Sequence, residues 1–260
     1  MKNVISFINF KGGVGKTTST ISIAGELSSR GYKVLIVDLD PSGNLSSAVG
    51  RKGDNKEMDH TSKLLKGVEN PSDLVLSTDI ENLFIIPTCS GNLTRTMREI
   101  QSESFRRTDI RLKKGLEPLQ DTFDYILVDC GPSDNVLNLN AMTASDNLIV
   151  PMRLEKYSLE GFDFLQEMVF AIKEETNPEL KILGIVETMY KTRSALYKEL
   201  HESIQNSQFG NLLFNTIIRQ NSKMEESPFA ELPVCLYDKK SNGAIDYKDL
   251  TDEILERMSK

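Results

Sequence analysis

The sequence predicts an α/β protein, a mostly parallel twisted sheet with helices on both faces. Three observations predict it. Strand-like apolar runs alternate with helical stretches from one end of the chain to the other. The run KVLIVDLD at 33–40 is nearly continuous in apolar residues, as a strand buried on both faces must be. Between the first strand and the first helix stands a glycine-rich segment, FKGGVGKTT at 10–18, which is where a parallel sheet gathers its ligands.

In chain order, VISFIN at 4–9 reads as the first strand and residues 17–30 as a helix with Ile21, Ala24 and Leu27 on one side. Gly31 stops that helix, because the residue after the last turn commonly takes a left-handed conformation that glycine adopts without penalty. Residues 33–40 form the second strand. Further strands are expected at 82–86, 124–129, 146–150, 181–187 and 213–218, and helices most clearly at 158–174, 193–206 and 243–258. The segment 51–60, RKGDNKEMDH, is the most polar stretch and reads as a surface loop. No internal repeat, low-complexity tract or Pro/Gly-rich linker interrupts the alternation, so residues 1–260 are expected to form a single domain.

Composition narrows the function classes. The 260 residues suffice for a full core, and 39% apolar with 27% charged residues is ordinary for a globular protein. No run approaches the about eighteen apolar residues of a membrane span, and no basic-then-apolar leader precedes the first strand. Cys89, Cys130 and Cys235 are scattered and never form C-x-x-C, which fits a reducing cytoplasm better than a disulfide framework or a zinc site. His60 and His201 lie far apart without ligand spacing and are expected at the surface. A net charge of −7 argues against coating nucleic acid with the whole surface, and leaves room for a local basic face.

The glycine segment carries the chemistry. Counting back from Gly15-Lys16-Thr17, the pattern G-x-x-x-x-G-K-[ST] puts its first glycine at position 10, where Phe10 stands. Lys11 follows, a second lysine that a phosphate loop does not need. Gly12, Gly13 and Gly15, with Val14 among them, let backbone N–H groups point at phosphate oxygens. The helix N-terminus at Thr17 and Thr18 adds its dipole. Lys16 would reach the β- and γ-phosphates, and the Thr17 hydroxyl would bind Mg²⁺. Asp38 and Asp40 end the second strand and Asp129 ends the strand at 124–129, so all three carboxylates arrive at the same sheet edge as the loop. Asp38 and Asp129 are expected to serve the Mg²⁺ shell, mostly through water, because Mg²⁺ keeps several waters of its own. Asp134 is expected in the N-cap region of the next helix.

KGGVGKTT is similar to the deviant Walker A motif of the ParA/MinD group of P-loop ATPases. The resemblance continues at VDLDPSGN (37–44), DYILVDCGPSDNVLNLNAMTASDNLIVP (124–151), EKYSLEG (155–161), GIVETMYKTRS (184–194) and SPFAELPVCLYDKKSNGA (227–244). These blocks cover nearly the whole chain in family order and resemble the ParA/Soj-type partition ATPases. The resemblance implies ATP and Mg²⁺ as cofactors and a homodimer with ATP sandwiched at its interface. It makes Lys11 a residue that crosses to the partner's phosphates, and it assigns Asp40 to orienting or deprotonating the attacking water. In trans, Lys11 would act as an arginine finger does, lending positive charge to a loose transition state. Glu155 resembles a family glutamate near the ribose across the dimer. Hydrolysis is expected to be slow and partner-stimulated, with nucleotide state setting assembly.

The resemblance further implies ATP-dependent, non-specific DNA binding, release by a centromere-binding ParB-type adaptor, and segregation of plasmid or chromosomal DNA on the nucleoid. Lys191, Arg193, Lys198, Arg219 and Lys223, with Lys239 and Lys240, form a possible basic face, and phosphate contacts require little more. Arg193 stands where relatives place a DNA-contacting arginine. Two departures appear: Ser42 replaces a common glutamine, and Arg219 stands where relatives commonly carry proline, with Gln220 in the following arginine's place. The chain opens directly on its first strand, so no N-terminal helix-turn-helix extension is expected, and with it no operator-specific repression. The alternative is a MinD-like membrane-associated regulator. Its amphipathic tail is basic, whereas Ile254, Leu255 and Met258 here are surrounded by Asp246, Asp249, Asp252, Glu253 and Glu256, which anionic lipid repels. That end is expected to pack on the protein body, with no membrane partner. An electron-transfer reductase would need two cluster cysteines per subunit. Cys130, directly after Asp129, is read as core packing instead.

Overall fold

The computed structural model describes residues 3–51, 59–103, 107–155 and 158–260. Among them the strands are β1 (Val4–Phe7), β2 (Val34–Leu39), β3 (Leu76–Ser77), β4 (Leu83–Ile86), β5 (Tyr125–Cys130), β6 (Asn147–Arg153) and β7 (Lys181–Thr188). They form one sheet in the order β3-β4-β2-β5-β1-β6-β7, parallel throughout except for the β3–β4 pair. This is the α/β architecture expected from the alternation of apolar runs.

Successive strand residues point to opposite faces, so each central strand feeds two cores. Leu35, Val37, Ile126 and Val128 face α3 (His60–Lys66), α4 (Ser90–Gln101), α5 (Arg111–Leu116), α6 (Val136–Ala144) and α7 (Ser158–Glu175). Ile5, Phe7, Ile36 and Leu127 face α1 (Lys16–Ser29) and the C-terminal helix. Between them the chain also forms α2 (Asn44–Ala48), α8 (Ala195–Gln205), α9 (Ser222–Glu226), α10 (Val234–Tyr237) and α11 (Asn242–Met258). The apolar stripe of α11 is used inside this second core, where Tyr247, Leu250 and Ile254 are buried. The Tyr247 hydroxyl lies 3.0 Å from that of Ser19 on α1. No helix among the described residues is long and apolar enough to cross a membrane.

Gly31 ends α1 as its sequence position predicts. At φ 89° it lets its own N–H donate to Ser28 and the N–H of Tyr32 donate to Leu27, which satisfies two orphan carbonyls of the last turn.

Several expectations are corrected. Residues 213–218 are not a strand. Phe214 and Ile218 donate to the carbonyls of Ile185 and Glu187 beside β7, but the amides of Asn215 and Thr216 are taken by the Glu253 carboxylate of α11 at 2.9 and 3.0 Å. The ladder is broken there by a side chain that sequence alternation cannot reveal. β3, only two residues long, carries no periodic signal. His60 is buried rather than at the surface, because its Nδ1 is satisfied 2.7 Å from the Leu74 carbonyl. His201 is half-buried, with Nδ1 2.8 Å from Glu187 Oε2. Most of the polar loop expected at 51–60 lies outside the described residues. At its end Asp59 is buried as the N-cap of α3. Asp134 does stand in the N-cap region of α6, exposed and one residue before the N-cap itself, Asn135, whose side chain accepts from the amides of Leu137 and Asn138.

Candidate nucleotide site

The carboxyl ends of β1, β2 and β5 meet the glycine loop, and backbone geometry explains its shape. Gly13 and Gly15 sit at φ 70° and 88°, a region L side chains enter only at a cost, and Gly15 occupies the N-cap of α1. The loop is pinned at both ends. Asn9 Nδ2 donates to the Pro151 carbonyl on β6 at 2.9 Å, and its Oδ1 accepts from the Lys11 amide. At the far side the Thr188 hydroxyl, at the end of β7, donates to the Val14 carbonyl at 2.8 Å. Gly12 and Gly13 are exposed, so their backbone lines the open mouth.

The two lysines face different environments. Lys16 is 6% exposed and its Nζ donates to the Lys11 carbonyl at 3.0 Å. Burial pulls its pKa down, while the nearby charges, Asp129 foremost, pull it back up. The side chain of Lys11 points outward and ion-pairs with Glu155 of the same chain, which also lies 3.4 Å from Arg153 Nε. Thr18 lies half-buried on the first turn of α1, beside a cavity of about 90 Å³ that Gly15, Met189, Gln220, Asn221 and Met224 also line.

Asp38 and Asp129 are register partners on neighbouring strands and project from the same face. The Thr17 hydroxyl donates to Asp129 Oδ2 at 2.6 Å, and Asp129 Oδ1 is buried with no hydrogen-bond partner among the described residues. That pairing of a hydroxyl and a carboxylate with spare acceptor capacity fits Mg²⁺, a hard cation that prefers oxygen. No cluster of three or more His, Cys, Asp or Glu suited to a metal stands among the described residues. A Mg²⁺ shell completed by phosphate and water does not need one. Asp38 is engaged elsewhere. Its Oδ2 accepts from the amide and hydroxyl of Ser46 on α2 at 2.8 and 2.6 Å, and its Oδ1 from the Asp40 amide at 3.3 Å. Complete burial pushes its pKa up to about 7 despite these bonds. Asp129 is likewise raised, by burial first and by Asp38 second. Asp40 is half-buried at the mouth, with Oδ1 accepting from the Ser42 amide at 2.8 Å.

Of the expected basic face, Lys191, Arg193 and Lys198 are exposed around the start of α8, and Lys239 and Lys240 are exposed after α10. Arg219 is directed inward: its Nε lies 3.0 Å from both oxygens of Asp246 on α11. Lys223 pairs with Glu226 at 2.7 Å. The sequence pattern does not mark Asn9, Ser46 or Thr188 as supports of the site. A serine, threonine or asparagine with no charge and no fixed spacing gives no signal until the fold shows what it holds, even where, as with Thr188, it lies within a block of family resemblance.

The family profile described as "AAA domain" matches residues 2–182. The chain is 38% identical over 257 residues to the chromosome-partitioning ATPase Soj of Treponema pallidum, covering 99% of this chain and 98% of that protein. It is 34% identical to the chromosome partitioning protein ParA of Caulobacter vibrioides, covering 98% and 94%. Among solved structures it matches the cobyrinic acid a,c-diamide synthase of Mycobacterium smegmatis with bound ATP analogue and magnesium. That match has a TM-score of 0.85 and 28% identity, and covers 100% of this chain and 97% of that one.

Proposed function

The chain belongs to the ParA/Soj partition ATPases, and from that premise we propose a DNA-segregating switch. One P-loop ATPase domain binds ATP with Mg²⁺, pairs with a second copy across the nucleotide, and holds DNA without sequence preference. A centromere-binding ParB-type partner then stimulates hydrolysis and releases it on the nucleoid. The observation that carries this reading is the division of labour between the lysines. Lys16 is turned into the loop, whereas the Lys11 side chain is turned out to the rim, where a second subunit would approach.

The chemistry assigned to the chain's own residues follows from their places. Amides of residues 12–17 and the cation of Lys16 take up phosphate charge. Thr17 and Asp129 are the residues that would hold Mg²⁺, which when bound neutralises charge on the β- and γ-phosphate oxygens. Asp38 is assigned to holding α2 through Ser46 rather than to direct metal contact. Asp40, at the mouth, would orient the attacking water and accept its proton. Lys11 would leave Glu155 and lend its cation to the partner's terminal phosphate. The cavity lined by Thr18, Met189 and Asn221 would take the nucleoside end. Lys191, Arg193 and Lys198 form the proposed DNA contact, with Arg219 and Lys223 contributing less because carboxylates already hold them.

A gel-shift titration tests the reading. DNA should be retained with ATP and Mg²⁺, not with ADP, and retention should fall steeply with salt. Equal retention with both nucleotides, or none at low salt, would remove the DNA-binding half of the proposal.

A further inference from the structure

The loop after β5, residues 131–134, is wedged between two parts of the nucleotide site. On one side Gly131 backs onto Asp40: a Cβ placed on Gly131 would stand 3.6 Å from Asp40 Cγ and Oδ1. On the other, Pro132 Cβ lies 3.9 Å from the place a Cβ on Gly12 would occupy. The loop is gripped by one fully buried side chain, Asn138 on α6. Its Nδ2 donates to the Gly131 carbonyl at 2.9 Å and to the Ser133 carbonyl, so both amide protons are committed to the loop.

The opposite end of the same amide is unsatisfied. Asn138 Oδ1 is buried and has no hydrogen-bond partner among the described residues. Flipping the amide would bring no relief, since it would set Oδ1 against two carbonyl oxygens. Nor does the start of α6 depend on Asn138, because Asn135 caps it. An apolar residue of similar volume would remove that unpaired acceptor but strip the buried Gly131 carbonyl of its donor, so what the amide secures is the loop. A stability cost borne at a site touching the reaction centre points to function.

We propose that Asn138 is a positioning residue for hydrolysis. By holding the carbonyls of Gly131 and Ser133 it fixes the 131–134 loop as a wall against Asp40 and Gly12. It thereby sets where the attacking water stands, with no part in nucleotide affinity. This inference rests on the ATPase reading above.

The test uses the full chain as wild type, Asn138→Leu and Asn138→Thr, the last keeping one hydroxyl donor. Turnover, KM, affinity for a fluorescent ATP analogue and thermal midpoint are measured on each. Asn138→Leu should lower kcat about tenfold or more, because small misplacements at a reacting centre are costly. Its KM and nucleotide affinity should stay within about twofold of wild type, and its thermal midpoint should move little, because the loss of one unpaired acceptor offsets the loss of the donor to Gly131. Asn138→Thr should fall between the two in kcat. A leucine variant with wild-type kcat overturns the inference, as does one whose lost turnover is matched by lost affinity. Should the leucine variant fail to fold, the threonine variant decides: reduced kcat at unchanged affinity and midpoint supports the assignment, and wild-type kcat overturns it. Wild-type protein that does not hydrolyse ATP would instead overturn the ATPase reading itself, and this inference with it.

Discussion

At the phosphate loop, Lys16 Nζ lies 3.0 Å from the Lys11 carbonyl while the Lys11 side chain reaches outward to Glu155. Removing either cation should therefore have a different signature. Lys11→Ala should leave ATP affinity within about threefold and reduce turnover by roughly a thousandfold, as loss of a trans cation does in related phosphoryl transfer. Equilibrium nucleotide titration beside steady-state hydrolysis checks this. Asp38 gives a second residue-scale test. Burial raises its folded pKa to about 7, above its unfolded value, so the stability tied to its protonated form is present at low pH and lost as pH rises through about 7. Asp129 shifts in the same direction. Chemical unfolding of Asp38→Asn should accordingly show a flatter stability profile between pH 5 and 8 than wild type. An unchanged profile would mean that Asp38 does not titrate in that range.

At the scale of elements, the amides of Asn215 and Thr216 and the guanidinium of Arg257 all converge on the Glu253 carboxylate. Glu253→Ala would leave those donors without their partner and should destabilise the fold by about 2–4 kcal/mol, read from denaturant unfolding. The same contact explains what sequence could and could not give. The central strands and the long helices were legible because burial on one or both faces imposes a period on many residues at once. LFNTII has the apolar and β-branched content of a strand, yet its middle amides are captured by an acid thirty-odd positions later, which no local pattern encodes. His60, expected at the surface, is buried for the same reason, its acceptor being a carbonyl on a different segment. Of the site, the arrival of the glycine loop, Lys16, Thr17 and the three aspartates at one sheet edge was legible, because each follows or ends a strand that the apolar runs reveal. The inward turn of Asp38 toward Ser46, and of Arg219 toward Asp246, depends on tertiary neighbours.

For the whole molecule, a net charge of −7 means that any DNA face must be local. Exposed Arg193 and Lys198 should each contribute about one counterion to the salt dependence of DNA retention, so each alanine variant should reduce the log–log slope by about one. Arg219→Ala should change that slope less and stability more, because its guanidinium is bound to Asp246. The central claim is that Lys11 serves a neighbour's nucleotide, and mixing two crippled subunits tests it most directly. Lys11→Ala keeps its own pocket and Asp40; Asp40→Ala keeps Lys11 but would lack the carboxylate proposed to activate water. Each alone should be inactive, and an equimolar mixture with ATP should regain measurable turnover as mixed dimers form. A mixture as inactive as its parts, with mixed dimers demonstrated by light scattering of size-tagged subunits, would contradict the account.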